Sequence, residues 1–373
     1  MLSEASASQR TRLCRTRMHF DLTDEQKQFE DAVERLLTDK LSGNILTRDE
    51  AVPGLAAAMD EALKSLAVPA ILVPEAESGL GMGLLTLAVA GEALGRHAAP
   101  TSAIRSAVGA WAIASYGDST LKARWLEPLL AGDAKVGFAF SETSDHWNPD
   151  EWRASLRDSR ANKRCIEGAA DADLFIVGVE EGLCLVARDA AELHASEYPP
   201  LDTSRPHAGA MLEMADAKPL GGRAAAWRLY DALMILAAID AAGAGRAALD
   251  MSVEYAKTRV QFGRPIGSFQ AIKHALANMA VDIEPVRFFC WYAAHAWDVS
   301  APEAPWSAAL AKAHATDVAV KTARAAVEAH GGIGYTWEYP LHLLLKRAMH
   351  DRMVLSSPTQ LRARAASLPR PLT

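Results

Sequence analysis

The apolar and polar positions divide the chain into a helical, a β-rich and a second helical segment. In residues 18–131 apolar residues recur every three or four positions, as at Phe29, Val33 and Leu37, which is the spacing of one face of an α-helix. Residues 132–222 carry short apolar runs, such as LFIVG and LCLVA, between turn residues, which is typical of β-strands. We therefore predict an N-terminal helical domain and a small middle β domain with these boundaries.

The helical period returns after the β segment. One apolar stripe covers about 224–258, a second helix is predicted over about 268–299, a third over about 304–330, and a last one from near Tyr339. Four long helices with short connections are typical of a bundle. The predicted fold is therefore mainly α with a small β domain, and it ends in a C-terminal four-helix bundle over 223–373.

The first 17 residues, MLSEASASQRTRLCRTR, are basic and rich in serine, and they contain no apolar stretch. Such a segment could be a transit peptide. A disordered or wrongly assigned start is the alternative, because Met18 is followed by a helix that Thr23 or Asp24 can cap. We therefore treat residues 1–17 as an extension outside the folded domains.

Composition limits the classes of partner. Half of the residues are apolar, 23% are charged, and the formal net charge is −7, whereas nucleic acids and anionic membranes attract basic proteins. No run of eighteen apolar residues occurs, so no membrane span is expected. The four cysteines lie far apart, without a CxxC pair or histidines at metal-ligand spacing. This pattern favours reduced thiols in a cytoplasmic protein without a bound metal.

Two strings combine a cation or small residues in a way that suits a phosphate ligand. In EYAKTRVQFGRPIGSFQAIKH, at 254–274, Arg259 stands at the predicted end of a helix that Gly263 and Pro265 interrupt, so its guanidinium can reach a pyrophosphate. In EAHGGIGYTWEYPLHLLLKRA, at 328–348, clustered glycines let backbone N–H groups approach phosphate oxygens. A surface charge, and a helix C-cap with a turn, are the alternative interpretations.

Together these strings resemble acyl-CoA dehydrogenases, and weaker similarities, such as VPEAESGLGMG and KARWLEPLLAGDAKVGFAFSE, follow in the family's order. The resemblance implies the acyl-CoA dehydrogenase fold, FAD as cofactor, an acyl-CoA as substrate and an electron-transfer flavoprotein as electron acceptor. It also implies an oligomer in which a chain completes the flavin site of its neighbour. The residues assigned to the ADP part of that FAD, or to the loop closing over it, are Arg259, Phe262, Gly263, Gln270, Gly331, Gly332 and Gly334.

The glutamate that removes the α-proton in this family is missing from both of its usual positions. The similar segments place Leu233 and Leu355 there, and neither side chain can accept a proton. Asp240 lies two helical turns after Leu233 on roughly the same face, which is about 10 Å along the helix. Asp240 is either a displaced base or a carboxylate paired with a basic residue of the bundle, and we favour the pairing.

The predicted β domain is also shortened where relatives cover the flavin ring. Ser141 stands in place of the family's threonine, and the chain continues from Gly168 into AADADLFIV without the family's tryptophan–threonine segment. These departures argue against a complete isoalloxazine pocket on this chain, although Ser141 remains the candidate for contact with the ring.

Three functions remain open. The missing glutamate, Met234 in place of the family's arginine, and the shortened β domain favour a subunit that completes the flavin site of a second dehydrogenase chain. Such paired subunits resemble those that bacteria use on steroid side-chain CoA esters. The first alternative is a self-sufficient homo-oligomeric dehydrogenase that uses Asp240 or another carboxylate as base. The second alternative is a flavin-free scaffold.

Overall fold

The computed structural model of the protein describes residues 21–41, 52–142, 147–196 and 200–370. The predicted extension over 1–17 lies outside this part of the chain. Within it, helices predominate and the longer strands lie between two helical regions, so the chain has the predicted order of helical, β and helical segments.

The first helical region packs around apolar helices that alternate with short turns. Thr23 caps the first helix and exchanges hydrogen bonds with Gln26, which satisfies two N–H groups that a helix start leaves free. The third and fourth helices are buried along most of their length and form the inner layer against the bundle. The helices are α1 (Asp24–Lys40), α2 (Val52–Ser65), α3 (Gly83–Arg96), α4 (Ala103–Tyr116) and α5 (Ser119–Leu130).

The middle region contains two small sheets that share one apolar core. The first sheet has the strand order β1-β3-β4-β7, and the second has the order β2-β6-β5. Only β1 and β3 run parallel within these sheets, as the described strands are paired. The strands are β1 (Val136–Ala139), β2 (Arg160–Glu167), β3 (Leu174–Val179), β4 (Gly182–Ala187), β5 (Ala191–His194), β6 (His207–Glu213) and β7 (Lys218–Gly222).

The C-terminal region is a helical bundle built on one long central helix. That helix, α6, has 36 residues and packs against the helices on either side of it. A short hairpin of β8 and β9 follows it. The elements are α6 (Arg223–Thr258), β8 (Val260–Gln261), β9 (Arg264–Pro265), α7 (Gln270–Ile283), α8 (Val286–Asp298), α9 (Ala304–His330), α10 (Leu341–Met353) and α11 (Pro358–Ser367).

The helix predicted over 268–299 is two helices, so this prediction was wrong in detail. α7 ends at Ile283, and α8 begins at Val286. Pro285 lies between them and has no N–H group to continue the helical hydrogen bonds, while its ring clashes with the preceding turn. The short helix α11 was not predicted, although Ser357 and Gln360 form a capping box at its start.

α6 is long and apolar enough to cross a membrane by length and composition alone. Its most apolar window has a mean hydropathy of 1.5, yet 83% of that window is buried inside the protein. A helix that is apolar on all sides is expected at the centre of a large core. The apolar character of α6 is therefore explained by packing.

Candidate functional site

Arg259 lies where α6 ends and the chain turns into the β8–β9 hairpin. Its backbone is extended, with φ −72° and ψ 120°, and the turn between the two strands contains Gly263 at φ +76°. Glycine adopts this conformation without the steric cost of a Cβ. The Arg259 side chain is exposed, so its charge can reach a ligand outside the chain.

Phe262, at the tip of the same hairpin, is 92% exposed. It also has φ +53°, which is an uncommon conformation for a bulky residue and one that is associated with constrained sites. Its ring meets Phe269 edge-on at a centroid distance of 6.0 Å. Gln270 is the first residue of α7 and is exposed as well. An aromatic ring this exposed contributes little to the stability of its own chain.

The glycine string begins where α9 ends at His330. Gly331 has φ +66° and ψ −140°, a combination that essentially only glycine adopts. A Cβ added at Gly331 or Gly332 would have no atom within 4 Å. Gly334 differs, because it is buried and a Cβ there would lie 2.9 Å from the Val327 carbonyl oxygen. Two of the three glycines therefore face open space, and the third permits close packing.

The two strings meet at one end of the bundle. The ring of His330 stacks on Tyr255, one turn before Arg259, at a centroid distance of 4.4 Å. His330 Nδ1 lies 2.7 Å from the Ala326 carbonyl oxygen, and Nε2 lies 3.2 Å from the Tyr339 hydroxyl. These contacts fix the end of α6 against the end of α9.

Large exposed apolar side chains surround this junction. Tyr335 is 79% exposed and Trp337 is 55% exposed, with the Lys346 ammonium 4.1 Å from the Trp337 ring centroid. Contiguous exposed apolar groups with polar neighbours are typical of interaction sites. We call this region the bundle-end surface, and it consists of Arg259, Val260, Phe262, Gly331, Gly332, Ile333, Tyr335 and Trp337.

A second region is a partly open cavity between the three parts of the fold. Its volume is about 110 Å³, and its wall contains Leu233, Leu355 and Asp240, the three residues considered above as base positions. Leu355 has φ +55° and the next residue, Ser356, has φ +74°. The Ser356 hydroxyl lies 2.9 Å from the buried hydroxyl of Tyr230, which holds this strained loop in place.

Asp240 is a paired carboxylate. It is 4% exposed, and it accepts hydrogen bonds from Nη1 of Arg347 at 3.1 Å and from Nη2 of Arg205 at 3.1 Å. Burial raises the pKa of Asp240, but the two guanidinium groups outweigh burial and hold that pKa below its ordinary value. The geometry favours the structural pairing over a displaced base, because a general base works best with a pKa near the operating pH.

Arg347 is fully buried and joins the three parts of the fold. Its Nε donates to Asp202 at 2.8 Å, and its Nη2 donates to the Ser204 hydroxyl at 2.8 Å and to the Ala99 carbonyl oxygen at 3.0 Å. Because Nη1 contacts Asp240, every nitrogen of the guanidinium has a partner, which is the condition under which a buried charge is tolerated.

A second set of ion pairs lies on the cavity wall. Glu167 accepts from Arg205 Nη1 at 2.8 Å and lies 3.3 Å from Arg105 Nε. Burial raises the pKa of Glu167, but Arg205 and Arg105 together bring it well below its usual range. We call the whole group the ionic cluster, and it consists of Arg105, Glu167, Asp202, Arg205, Asp240 and Arg347.

Asp351 and Lys312 were not singled out by the sequence, and both are buried beside the cluster. Burial and the neighbouring Asp240 carboxylate raise the pKa of Asp351 to about 7, and His350 Nδ1 lies 3.4 Å from Asp351 Oδ1. Burial lowers the pKa of Lys312 to about 7, and its Nζ has no hydrogen-bond partner in the described part of the chain. Asp351 follows Arg347 by four residues on one predicted helix, and this spacing, which places two side chains on one face, was a signal that could have singled out Asp351.

Ser141 is fully buried next to Phe140, which lies on the cavity wall. Its carbonyl oxygen accepts a hydrogen bond from the Arg164 N–H group, and its Oγ has no partner among the described residues. The adjacent Glu142 binds Lys163 Nζ at 2.7 Å. Residues 143–146 lie outside the described part of the chain.

The residues present fit the two parts of an FAD differently. The bundle-end surface offers a guanidinium, open glycine amides and exposed aromatic rings, which suit a dinucleotide approaching from outside the chain. The cavity has a volume of about 110 Å³, below the roughly 150 Å³ cavity that accepts benzene, so the space it encloses is smaller than a three-ring isoalloxazine.

Comparisons with known proteins were made by sequence and by structure. The chain matches the family "Acyl-CoA dehydrogenase, N-terminal domain" over residues 23–133 and "Acyl-CoA dehydrogenase, C-terminal domain" over residues 221–354. The acyl-CoA dehydrogenase IpdE2 of Mycolicibacterium smegmatis is 32% identical over 297 residues, which is 78% of this chain and 81% of the relative.

Two further matches come from Mycobacterium tuberculosis. The acyl-CoA dehydrogenase IpdE2 is 41% identical over 139 residues, and this match spans 37% of the chain and 42% of the relative. A chain of the ChsE4-ChsE5 complex has a TM-score of 0.81 at 23% identity and covers 95% of this chain and 100% of its own length, which is a likeness of fold. With both family domains in order and a relative similar over most of its length, the chain belongs to the acyl-CoA dehydrogenase family, and the predicted family and fold are confirmed.

Proposed function

We propose that this chain is a subunit of an FAD-dependent acyl-CoA dehydrogenase and completes the flavin site of a partner chain that carries the catalytic glutamate. The observation that carries the proposal is the contrast between an exposed guanidinium at the bundle end and a small cavity at the base positions whose carboxylate Asp240 is held by two arginines. The substrate would be an acyl-CoA, and a cytoplasmic electron-transfer flavoprotein would accept the electrons, as the resemblance to the family implies.

The bundle-end surface supports the partner role in three ways. Arg259 is exposed and is not needed to neutralise the buried carboxylates. Gly331 and Gly332 leave space that no atom of this chain occupies within 4 Å of an added Cβ. Phe262 exposes 92% of its surface, and such a ring gains stability when a partner or ligand covers it. FAD held here would supply hydride acceptance, while this chain would bind its pyrophosphate.

The cavity supports a non-catalytic role for this chain. Leu233 and Leu355, which the resemblance places at the positions of the family's glutamate, line the cavity, and Asp240 is held by two guanidinium groups. One structural relative supports an enzyme built from two different chains, because the ChsE4-ChsE5 complex is named for two different chains.

The test is to express this chain alone and together with a dehydrogenase chain of the same genome that has the glutamate. We expect a colourless, inactive protein alone and a yellow, active complex with the partner, measured by absorbance near the flavin band and by dye reduction with acyl-CoA. Arg259→Gln in this chain should lower the flavin content of the complex, whereas Arg264→Gln, on the same hairpin, should not. A yellow, active protein from this chain alone would rule the proposal out.

A self-sufficient enzyme is the second candidate, and one observation favours it. Asp351 lies on the same cavity wall as Leu355, and its pKa of about 7 suits a general base. If this chain turns over acyl-CoA alone, Asp351→Asn should abolish turnover while flavin remains bound. Unchanged turnover in this variant would exclude Asp351 as the base.

A further inference from the structure

Two buried side chains of opposite charge lie on the neighbouring helices α9 and α10 without a hydrogen bond between them. Lys312 is 0% exposed and Asp351 is 3% exposed. Nζ of Lys312 and Oδ2 of Asp351 each lack a hydrogen-bond partner among the described residues. Of the charged groups around Lys312, Asp351 acts on it most strongly. A buried donor and a buried acceptor that are both left without a partner are costly, and a contact between them would remove both costs.

The position of the pair makes such a contact a link between two helices. α9 ends at His330 and α10 begins at Leu341, so the two helices flank the glycine string of the bundle-end surface. Both helices pack against α6 and against each other. Their contact is lined by small apolar side chains, among them Ala319 and Ala348, which allow a close approach. A hydrogen bond between Lys312 and Asp351 would therefore fix α9 relative to α10.

The charges that act on Lys312 come from α9 and α10. Besides Asp351, these are Arg352 of α10 and Asp317 of α9, which have opposite signs. Asp317 is already engaged, because Arg352 and Arg362 of α11 donate to it at 2.7 Å each. Within the described residues, α6, α7, α8 and α11 pack against α9 without a further charge that affects the pKa of Lys312. Asp351 is therefore the acid that remains available for Lys312.

The charges around Asp351 leave its Oδ2 atom without a donor. The neighbouring Asp240 of α6 raises the pKa of Asp351, whereas the adjacent His350 lowers it. Arg205 and Arg347 interact with Asp351 through their charge, but both donate their hydrogen bonds to other carboxylates. The cations of the ionic cluster therefore do not replace Lys312 as a partner of this oxygen.

One proton can move between the two groups at little cost in free energy. Burial lowers the pKa of Lys312 to about 7, and burial together with Asp240 raises the pKa of Asp351 to about 7. Transfer breaks the O–H bond of Asp351 and forms an N–H bond on Lys312, so the total charge of the pair is unchanged. Groups that interact this strongly gain and lose protons as a pair. The pair holds two protons below neutral pH, one near it and none above it.

We propose that Lys312 and Asp351 form a proton latch between α9 and α10, closed when the pair holds one proton and open when it holds two or none. In the closed form, the proton lies in a hydrogen bond between Nζ and Oδ2. With two protons the carboxyl group has no charge to attract the ammonium, and with none the amine is a weak donor. The latch belongs to this chain alone, so its test requires neither flavin nor a partner and is independent of the proposed function.

The first experiment measures both groups by NMR of the purified full chain with labelled lysine and aspartate. Each signal is assigned by its absence from the variant that lacks the residue. Asp351→Asn should raise the acid dissociation constant of the Lys312 ammonium about tenfold, because an opposite charge is removed. Lys312→Met should lower that of Asp351 by the same factor, since coupling between two sites is reciprocal. If one variant does not fold, the other reports the same coupling.

Asp282→Asn is the matched control for the titration. Asp282 pairs with Lys321, a 71% exposed lysine on the same helix as Lys312. This substitution should change the acid dissociation constant of Lys312 by less than about twofold, because an exposed pair is screened by water. Equal constants for Lys312 in the wild type and in Asp351→Asn would overturn the proposal.

A double-mutant cycle tests whether the proton closes the contact. The melting temperatures of Lys312→Met, Asp351→Asn and the double variant are measured near pH 5, 7 and 10. The two substitutions should be non-additive near pH 7 and additive at the other two values, because only groups in contact couple. Lys312→Leu and Asp351→Ala complete the same cycle where a first variant does not fold. Additivity at every pH, or an equal coupling at every pH, would contradict a latch that one proton operates.

Discussion

The bundle-end surface and the ionic cluster use arginine in opposite ways. Arg259 lies in water at the end of a helix, and it keeps its charge available for a ligand. Arg347 is 0% exposed, and each of its nitrogens donates to an atom of its own chain. The comparison teaches that burial and the number of internal partners, rather than residue type, separate a binding guanidinium from a structural one.

The largest expected effect is on the buried side of this comparison. Arg347→Met should lower the free energy of unfolding by about 3–5 kcal/mol, because it leaves Asp202 and Asp240 buried with less compensating charge. Urea denaturation measures the loss. Arg352→Met is the control, since Arg352 is 42% exposed and its ion pair with Asp317 lies at the surface. This control should change the free energy of unfolding by less than about 1 kcal/mol. Equal losses in both variants would contradict the distinction between a buried and an exposed arginine.

Lys312→Met should stabilise the protein at pH 7 by roughly 1–3 kcal/mol, because it removes a buried ammonium without a hydrogen bond. The pKa of Lys312 is lowered to about 7, so the unfolded chain binds more protons between pH 7 and about 10. Wild-type stability should therefore rise with pH in this window, and the variant should lack that rise. Lys321→Met, at a 71% exposed lysine, should leave the pH profile unchanged. The measurement is the melting temperature as a function of pH.

Asp351→Asn should change the pH profile on the acid side by about 1–2 kcal/mol. The pKa of Asp351 is raised to about 7, so its contribution to stability is fully present below about pH 4 and is lost as the pH rises to 7. The Asp351→Asn variant should not show this decline in stability as the pH rises. Asp317→Asn should have the opposite effect on the pH profile. Arg362 and Arg352 outweigh burial and lower the pKa of Asp317. A wild-type profile identical to that of Asp351→Asn would show that the aspartate does not titrate there.

The smallest expected effect on stability is at the bundle end. Arg259→Gln should change the free energy of unfolding by less than about 0.5 kcal/mol, because exposed substitutions rarely do more. The same variant should reduce flavin retention of the assembled complex about tenfold, measured by dialysis and absorbance. Loss of stability without loss of flavin would reverse the roles that the comparison assigns to the two arginines.

The sequence predicted the features that depend on local order. The period of apolar residues predicted α6 and α9 nearly to their ends, and the string around Arg259 predicted a helix end followed by a turn. Pro285 breaks a predicted helix, and this error was avoidable because the effect of proline on a helix is local.

The ionic cluster could not be predicted in the same way. Its partners lie far apart in sequence, since Arg347 is 145 positions from Asp202 and 107 positions from Asp240. Sequence alone therefore left two interpretations of Asp240 open. The roles that resemblance assigned to Arg259, Phe262 and Gln270 stay predictions, since exposure makes them available but does not identify the ligand.

The long sequence distance between Arg347 and its two aspartates affects when the protein can fold during synthesis. A ribosome completes Asp202 and Asp240 well before it reaches Arg347, and chains grow at about 5–20 residues per second. Until Arg347 emerges, the nascent chain holds two carboxylates that can be hydrated but lack the guanidinium that pairs with them. The junction of the three parts can therefore close only after Arg347 has been added, and a chain cut short before Arg347 would leave both carboxylates without that partner.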